Sequence, residues 1–179
     1  SWREAGLQPV PVAVNIHPEH LLDPKFVPQL VAASRGMIDV EIVQSSECCD
    51  RALLPVLEML REEGVRVSLE DFSLGYGALG RLAELPIDIL KIDRGIVSHL
   101  SRTAASAQRA RTRRLLSTLV SMARLCRFIT IAKGVETSVE LEALAELGCT
   151  QYQGYLRSPA VSVDHFRQFL APAAPAVGA

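Results

Sequence analysis

The sequence predicts an α/β fold of parallel strands and crossover helices, and three observations predict it. Six short β-rich runs alternate with segments of helical periodicity, 49% of the residues are hydrophobic, and every β-rich run ends in polar residues. Regular alternation implies parallel strands joined by right-handed crossovers, with helices covering the sheet. A (β/α) barrel and a doubly wound sheet both satisfy the pattern. A complete barrel of eight β/α units typically takes about 250 residues. This chain has 179 and meets its first strand directly after an amphipathic scrap, Ser1 to Gly6, so about six units are expected, with the first units missing.

The strands are read at Val12–Ile16, Asp39–Val43, Val65–Leu69, Ile87–Ile92, Phe128–Ala132 and Thr150–Tyr155, where β-branched residues cluster. Helices are read between them. Pro24 to Arg35 follows Asp23 as N-cap, and Asp50 to Glu63 sets Leu53, Leu54, Leu57 and Leu60 on one face before Gly64 stops it. Leu79 to Leu85 is short and ends at Pro86. The longest helix runs from about Ala104 to Cys126 with Leu115, Leu116, Leu119, Val120 and Ala123 as its apolar stripe. Ser138 to Leu147 ends at Gly148, and Asp164 to Leu170 closes the fold. Residues 1–170 are expected to form one domain, with the Ala- and Pro-rich 171–179 as a disordered tail.

Composition excludes several classes. Lys+Arg number 19 against 20 Asp+Glu, and a net charge of -1 gives no general attraction to nucleic acid or an anionic membrane. No apolar run approaches the roughly 20 residues of a bilayer-spanning helix, so a cytoplasmic domain without membrane insertion is expected. Cys48, Cys49, Cys126 and Cys149 include no Cys-x-x-Cys pair and are read as reduced thiols; the four histidines form no metal motif. Arg109, Arg111, Arg113 and Arg114 are read as a solvated helix face, with a partner or oligomer contact as the alternative.

In parallel α/β folds, ligand-handling groups sit at the carboxyl ends of the strands. Strand by strand those ends carry Asn15; Glu41 and Gln44; Glu70 and Asp71; Lys91 and Asp93; Lys133 and Glu136; and Gln153. Carboxylates and an amide oxygen are hard ligands for Mg²⁺, Mn²⁺ or Ca²⁺, and two such ions about 3.5–4 Å apart clamp the attacking and leaving oxygens of a phosphodiester. A neighbouring lysine holds a phosphate or a metal-bound water.

The runs Val14-Asn-Ile16, Glu41-Ile-Val-Gln44, Glu70-Asp-Phe-Ser-Leu-Gly-Tyr76, Leu85-Pro-Ile-Asp-Ile-Leu-Lys-Ile-Asp-Arg94, Gly134-Val-Glu-Thr137 and Leu147-Gly-Cys-Thr-Gln-Tyr-Gln-Gly-Tyr155 resemble the EAL domain of cyclic-di-GMP phosphodiesterases, in order and spacing, over nearly the whole chain. The resemblance implies a (β/α)8 barrel of TIM type, here incomplete, that hydrolyses cyclic-di-GMP to linear pGpG with two Mg²⁺ or Mn²⁺ ions. It implies Asn15, Glu41, Glu70 and Asp71 as metal ligands, Lys91 as the residue that positions the nucleophilic water, and Gln153 beside that water. Asp93, Arg94, Gly154 and Tyr155 are compatible with ligand contact.

The departures from the pattern bear on chemistry. The Glu-Ala-Leu motif that names the family lies before the first strand of this chain, and Glu4-Ala5-Gly6 is not that motif. Gln44 replaces an acid, Val43 a threonine, and Ser73-Leu74 a Gly-Thr; Tyr155 to Pro159 is one residue shorter than usual, and Glu70 one methylene longer than the family aspartate. Lys133 stands where the family has a metal-binding glutamate. An ammonium about 4 Å from a divalent cation costs several kcal/mol even at an effective dielectric of about 20. Lys133 is therefore expected to sit among Glu41, Glu70 and Asp71 and neutralise them in place of an ion.

The expected function is a degenerate, non-hydrolysing EAL-like domain in cyclic-di-GMP signalling, acting as ligand receptor or protein-interaction regulator with no cofactor required. The alternative is an active phosphodiesterase using Mg²⁺ or Mn²⁺. A protein partner or homodimer is expected in either case, because a barrel lacking strands leaves two parallel sheet edges open.

Overall fold

The computed structural model describes residues 2, 4, 6–43, 51–72, 82, 84–101 and 103–170, with the backbone alone at 71 and 72. Six parallel strands, β1 Val12–Asn15, β2 Ile38–Val43, β3 Val67–Phe72, β4 Ile89–Ile92, β5 Ile129–Lys133 and β6 Gln151–Gln153, lie side by side in sequence order. That order decides between the two predicted architectures. A doubly wound sheet reverses its direction of growth once, which puts helices on both faces; unbroken growth in one direction with right-handed crossovers leaves all helices on one face. The fold is an incomplete (β/α)8 barrel.

Two faces follow from the period of two. Val40, Ile42, Val67, Leu69, Leu90, Ile92 and Ala132 point to the helices and are buried. The principal helices are α1 Pro18–Leu21, α2 Phe26–Ser34, α3 Leu53–Glu62, α4 Arg94–Val97, α5 Ser106–Leu125, α6 Ser138–Glu146 and α7 Val163–Leu170, and a 3₁₀ turn at Ser98–Leu100 continues α4. In α3 the predicted stripe holds: Leu53, Leu57 and Leu60 are fully buried and Leu54 packs partly against the core. Each such leucine contributes about 2 kcal/mol of transfer free energy. In α5 the buried face is Thr112, Leu116, Leu119, Val120 and Ala123, whereas Leu115, predicted in the stripe, is 40% exposed. On a helix turning 100° per residue, Leu115 lies beyond the edge of the arc spanned by Leu116, Leu119, Val120 and Ala123, and Thr112, one turn before Leu116, falls inside it.

Helix ends have identifiable causes. Thr137 caps α6 by accepting from the Glu140 N–H, and the Glu140 carboxylate accepts from the Thr137 N–H at 3.0 Å, a reciprocal box. Asp23, predicted as the cap of α2, acts one turn earlier: its side chain accepts the Lys25 N–H at 2.9 Å and Lys25 is the cap residue. The short α1 and α4 were not among the predicted helices, since four residues carry no apolar period; their signals are His17 before Pro18, and Asp93, whose side chain accepts from the Gly95 N–H. Leu79 to Leu85 falls largely outside the described residues, as do Cys48, Cys49, Ser73-Leu74 and 171–179.

Near the open side of the barrel, the Trp2 ring lies 5.8 Å from that of Phe166 on α7, and Arg157 stands over Phe169 at 4.9 Å. The first contact ties the N-terminal segment to the last helix, and the second ties the segment after β6 to it. β1 and β6 have exposed residues throughout, as edge strands do.

Candidate ligand site at the carboxyl ends of the strands

The face opposite the helices is the barrel lumen, and the register brings its polar residues into one row. Asn15 pairs with Glu41, Glu41 with Ser68, Val43 with Glu70, and Lys133 with Gln153. The ladder between β3 and β4 shifts between Leu69 and Phe72, at the Glu70-Asp71 step.

Four of the predicted residues meet. The Lys91 ammonium donates directly to the Glu41 carboxylate and lies 3.3 Å from Glu70 Oε1. The Lys133 ammonium reaches the same Glu70 oxygen at 2.9 Å. Among the described residues the array sets two ammoniums against two carboxylates and is largely buried: the side chains of Lys91, Glu41 and Glu70 are 7%, 6% and 12% exposed, and that of Lys133 is 23% exposed. Burial opposes ionisation of Glu70, but the Lys133 hydrogen bond and the charges of Lys91 and Lys133 outweigh it and hold its carboxyl below the ordinary glutamate range.

A second ion pair lies one layer below: Arg66 donates to Asp39 at 2.9 Å, one strand period before Ser68 and Glu41. Between the layers the Ser68 hydroxyl is 1% exposed and without a hydrogen-bond partner among the described residues. Ser68 went unremarked in the sequence, although its spacing of two from Glu70 marks it as a lumen residue.

The remaining predicted residues are distributed around this centre. Asn15 is exposed and lines a cavity with Ile16, His17, Pro18 and Val43 at the ends of β1 and β2; His17 is a residue that motif reading did not single out. Gln153 is exposed on the opposite flank. The Asp71 side chain and Gln44 lie outside the described residues. Asp93 is the cap of α4, and Arg94 pairs with Glu136 at 2.6 Å. Gly154 is pressed on the β5 loop: a Cβ there would stand 2.1 Å from the Val135 carbonyl oxygen. Val135 donates to Gln153 and accepts from Leu156, which locks the ends of β5 and β6 together. Tyr155 beside them is 71% exposed.

The donor chemistry can be tested against a divalent pair. A cation about 2.1 Å from Glu70 Oε1 would stand within about 5 Å of the Lys133 ammonium, a repulsion of about 6–7 kcal/mol at an effective dielectric of about 20. Among the described residues no cluster of three or more carboxylate, histidine or cysteine side chains is gathered as metal ligands. With Lys133 seated on Glu70, the described donors do not fit two divalent ions.

A partial (β/α)8 barrel with acids, lysines and terminal amides along its strand ends defines the class. The EAL domain family model matches residues 1–160, and the chain belongs to that family. Among curated relatives, the bifunctional diguanylate cyclase/cyclic di-GMP phosphodiesterase MucR of Pseudomonas aeruginosa is 34% identical over 137 residues, 76% of this chain and 18% of that protein. The cyclic di-GMP phosphodiesterase PdeR of Escherichia coli is 30% identical over 177 residues, 92% of this chain and 25% of that protein. The chain thus spans no more than about a quarter of either relative. In structure, the EAL domain of Mycobacterium smegmatis DcpA superposes with a TM-score of 0.83 at 27% identity, covering 94% of this chain and 77% of that one. The MucR phosphodiesterase in complex with c-di-GMP gives 0.78 at 28% identity over 92% of this chain and 67% of that one. No helix among the described residues is long and apolar enough to cross a membrane.

Proposed function

We propose that this chain is a non-hydrolysing EAL domain of cyclic-di-GMP signalling that works as a ligand receptor without a metal. The observation that carries the reading is Lys133 on Glu70, an ammonium seated on a carboxylate that hydrolysis would need for a metal ion. Lys91 is likewise engaged by two carboxylates, so the charge that metals would supply comes from side chains. The relatives named for cyclic di-GMP phosphodiesterase activity, and the MucR complex with the dinucleotide, support the ligand class. The exposed Asn15 and Gln153 flank the array and supply amide contacts to a ligand laid across the strand ends; Arg94, Gly154 and Tyr155 border it on the β4–β6 side. Asp93 holds the turn that carries Arg94.

Hydrolysis is the second reading, favoured by one observation: Asn15, Glu41, Glu70, Lys91 and Gln153 share one face of the sheet, as a phosphodiesterase needs. Calorimetric titration of cyclic-di-GMP in excess chelator and again in Mn²⁺, with products separated by chromatography, divides the two. Binding in chelator with the dinucleotide recovered intact is the expected result. Appearance of pGpG in Mn²⁺, abolished by Asp71→Ala, would establish the phosphodiesterase instead.

A further inference from the structure

The two lysines of the site differ in what happens if each moves. Lys91 bridges Glu41 and Glu70, and withdrawing it would strand the buried Glu41 carboxylate, which is expensive in a low-dielectric setting. Lys133 is different: if it leaves Glu70, that carboxylate still faces Lys91. Lys133 is also the more accessible of the two, at the carboxyl end of β5 opposite the exposed Gln153, on the side where the lumen lies open to solvent.

We propose that Lys133 is a phosphodiester-binding residue that exchanges partners. In the free protein its ammonium rests on Glu70; when a cyclic dinucleotide enters, the ammonium turns to a non-bridging phosphate oxygen while Lys91 keeps Glu70. No covalent bond changes. The charge-assisted hydrogen bond to Glu70 is replaced by one of the same class to phosphate, and the phosphate gains a cation that the protein itself carries. The resting pair also keeps the ammonium aimed at the site. The inference rests on the receptor reading above and names the contact through which it would operate.

The test is calorimetric titration of cyclic-di-GMP in excess chelator into the full chain, Lys133→Met and Lys133→Arg, with thermal melting to verify folding of each variant. Lys133→Met is expected to bind at least about tenfold more weakly, the loss of one charged hydrogen bond, and Lys133→Arg to recover most of the affinity. Unchanged affinity in Lys133→Met would overturn the inference and leave the receptor reading standing. An equal loss in Lys133→Arg and Lys133→Met would overturn it too, because a phosphate contact accepts either cation. Failure of the unsubstituted chain to bind in chelator would overturn the receptor reading and this inference with it.

Discussion

Glu70 shows how one side chain sets the pH behaviour of a site. Its carboxylate is kept ionised by Lys133 and Lys91 against the pull of burial, so its folded value lies below its unfolded one. A depressed acid contributes stability above the unfolded value, and the contribution is lost as pH falls through the folded value. We expect the chain to lose denaturant resistance as pH falls below about 4.5, the ordinary glutamate range. Glu70→Gln, less stable than the native chain at pH 7, should converge on it in acid, as urea midpoints between pH 7 and pH 3 will show. Parallel curves at all pH values would refute the role given to the two ammoniums. Lys133 itself was legible in the sequence as a cation among acids, since it stands at a strand end where the family resemblance implies a metal-binding glutamate. Its choice of Glu70 was not, because the register shift between β3 and β4 at the Glu70-Asp71 step leaves no mark on the apolar pattern.

At the scale of the element, the strands were read in the right number and order, and their ends were less legible. β3 was expected at Val65–Leu69 and runs from Val67 to Phe72. A strand whose lumen face carries Ser68 and Glu70 reads as a turn by composition, and only the paired ladder with β2 reveals it. The β5–β6 junction has the opposite character: Gly154 had the look of a ligand contact, and its fully packed surroundings assign it a steric duty as well. Gly154→Ala is expected to destabilise the chain by about 3 kcal/mol, since the Val135 backbone cannot yield without breaking its bonds to Gln153 and Leu156. Thermal melting checks it; a loss under about 1 kcal/mol would mean that the two loops separate easily.

For the whole molecule, the unbroken strand order makes stability fall from the middle of the sheet outward. β3 and β4 each have a neighbour on both sides and bury their helix-facing residues, whereas β1 and β6 have one neighbour and exposed residues throughout. Native-state hydrogen exchange should therefore protect amides of β3 and β4 at least about 100-fold more than those of β1 and β6. Uniform protection across the sheet would show that the edges are covered in solution, by further chain or by another copy. Alternation made the parallel α/β sheet legible and left a barrel and a doubly wound sheet open, between which the family resemblance and the strand order decide; the contact of Trp2 with Phe166 across the open side was not legible, because it joins residues at opposite ends of the sequence.

The two tiers of charge inside the barrel also govern how this sequence is free to drift. Glu41 and Lys91 sit on different strands and are both buried, so losing either strands its partner, and losing Arg66 leaves the Asp39 carboxylate, 11% exposed, without its cation. Such positions change together or hardly at all. Glu70 escapes the constraint in part, because it has two cations and survives the loss of either. Of Lys91, Lys133, Glu41 and Glu70, the Lys133 position is thus the one most open to replacement by a carboxylate, and such a change would leave three carboxylates around one ammonium, a set better suited to hard cations.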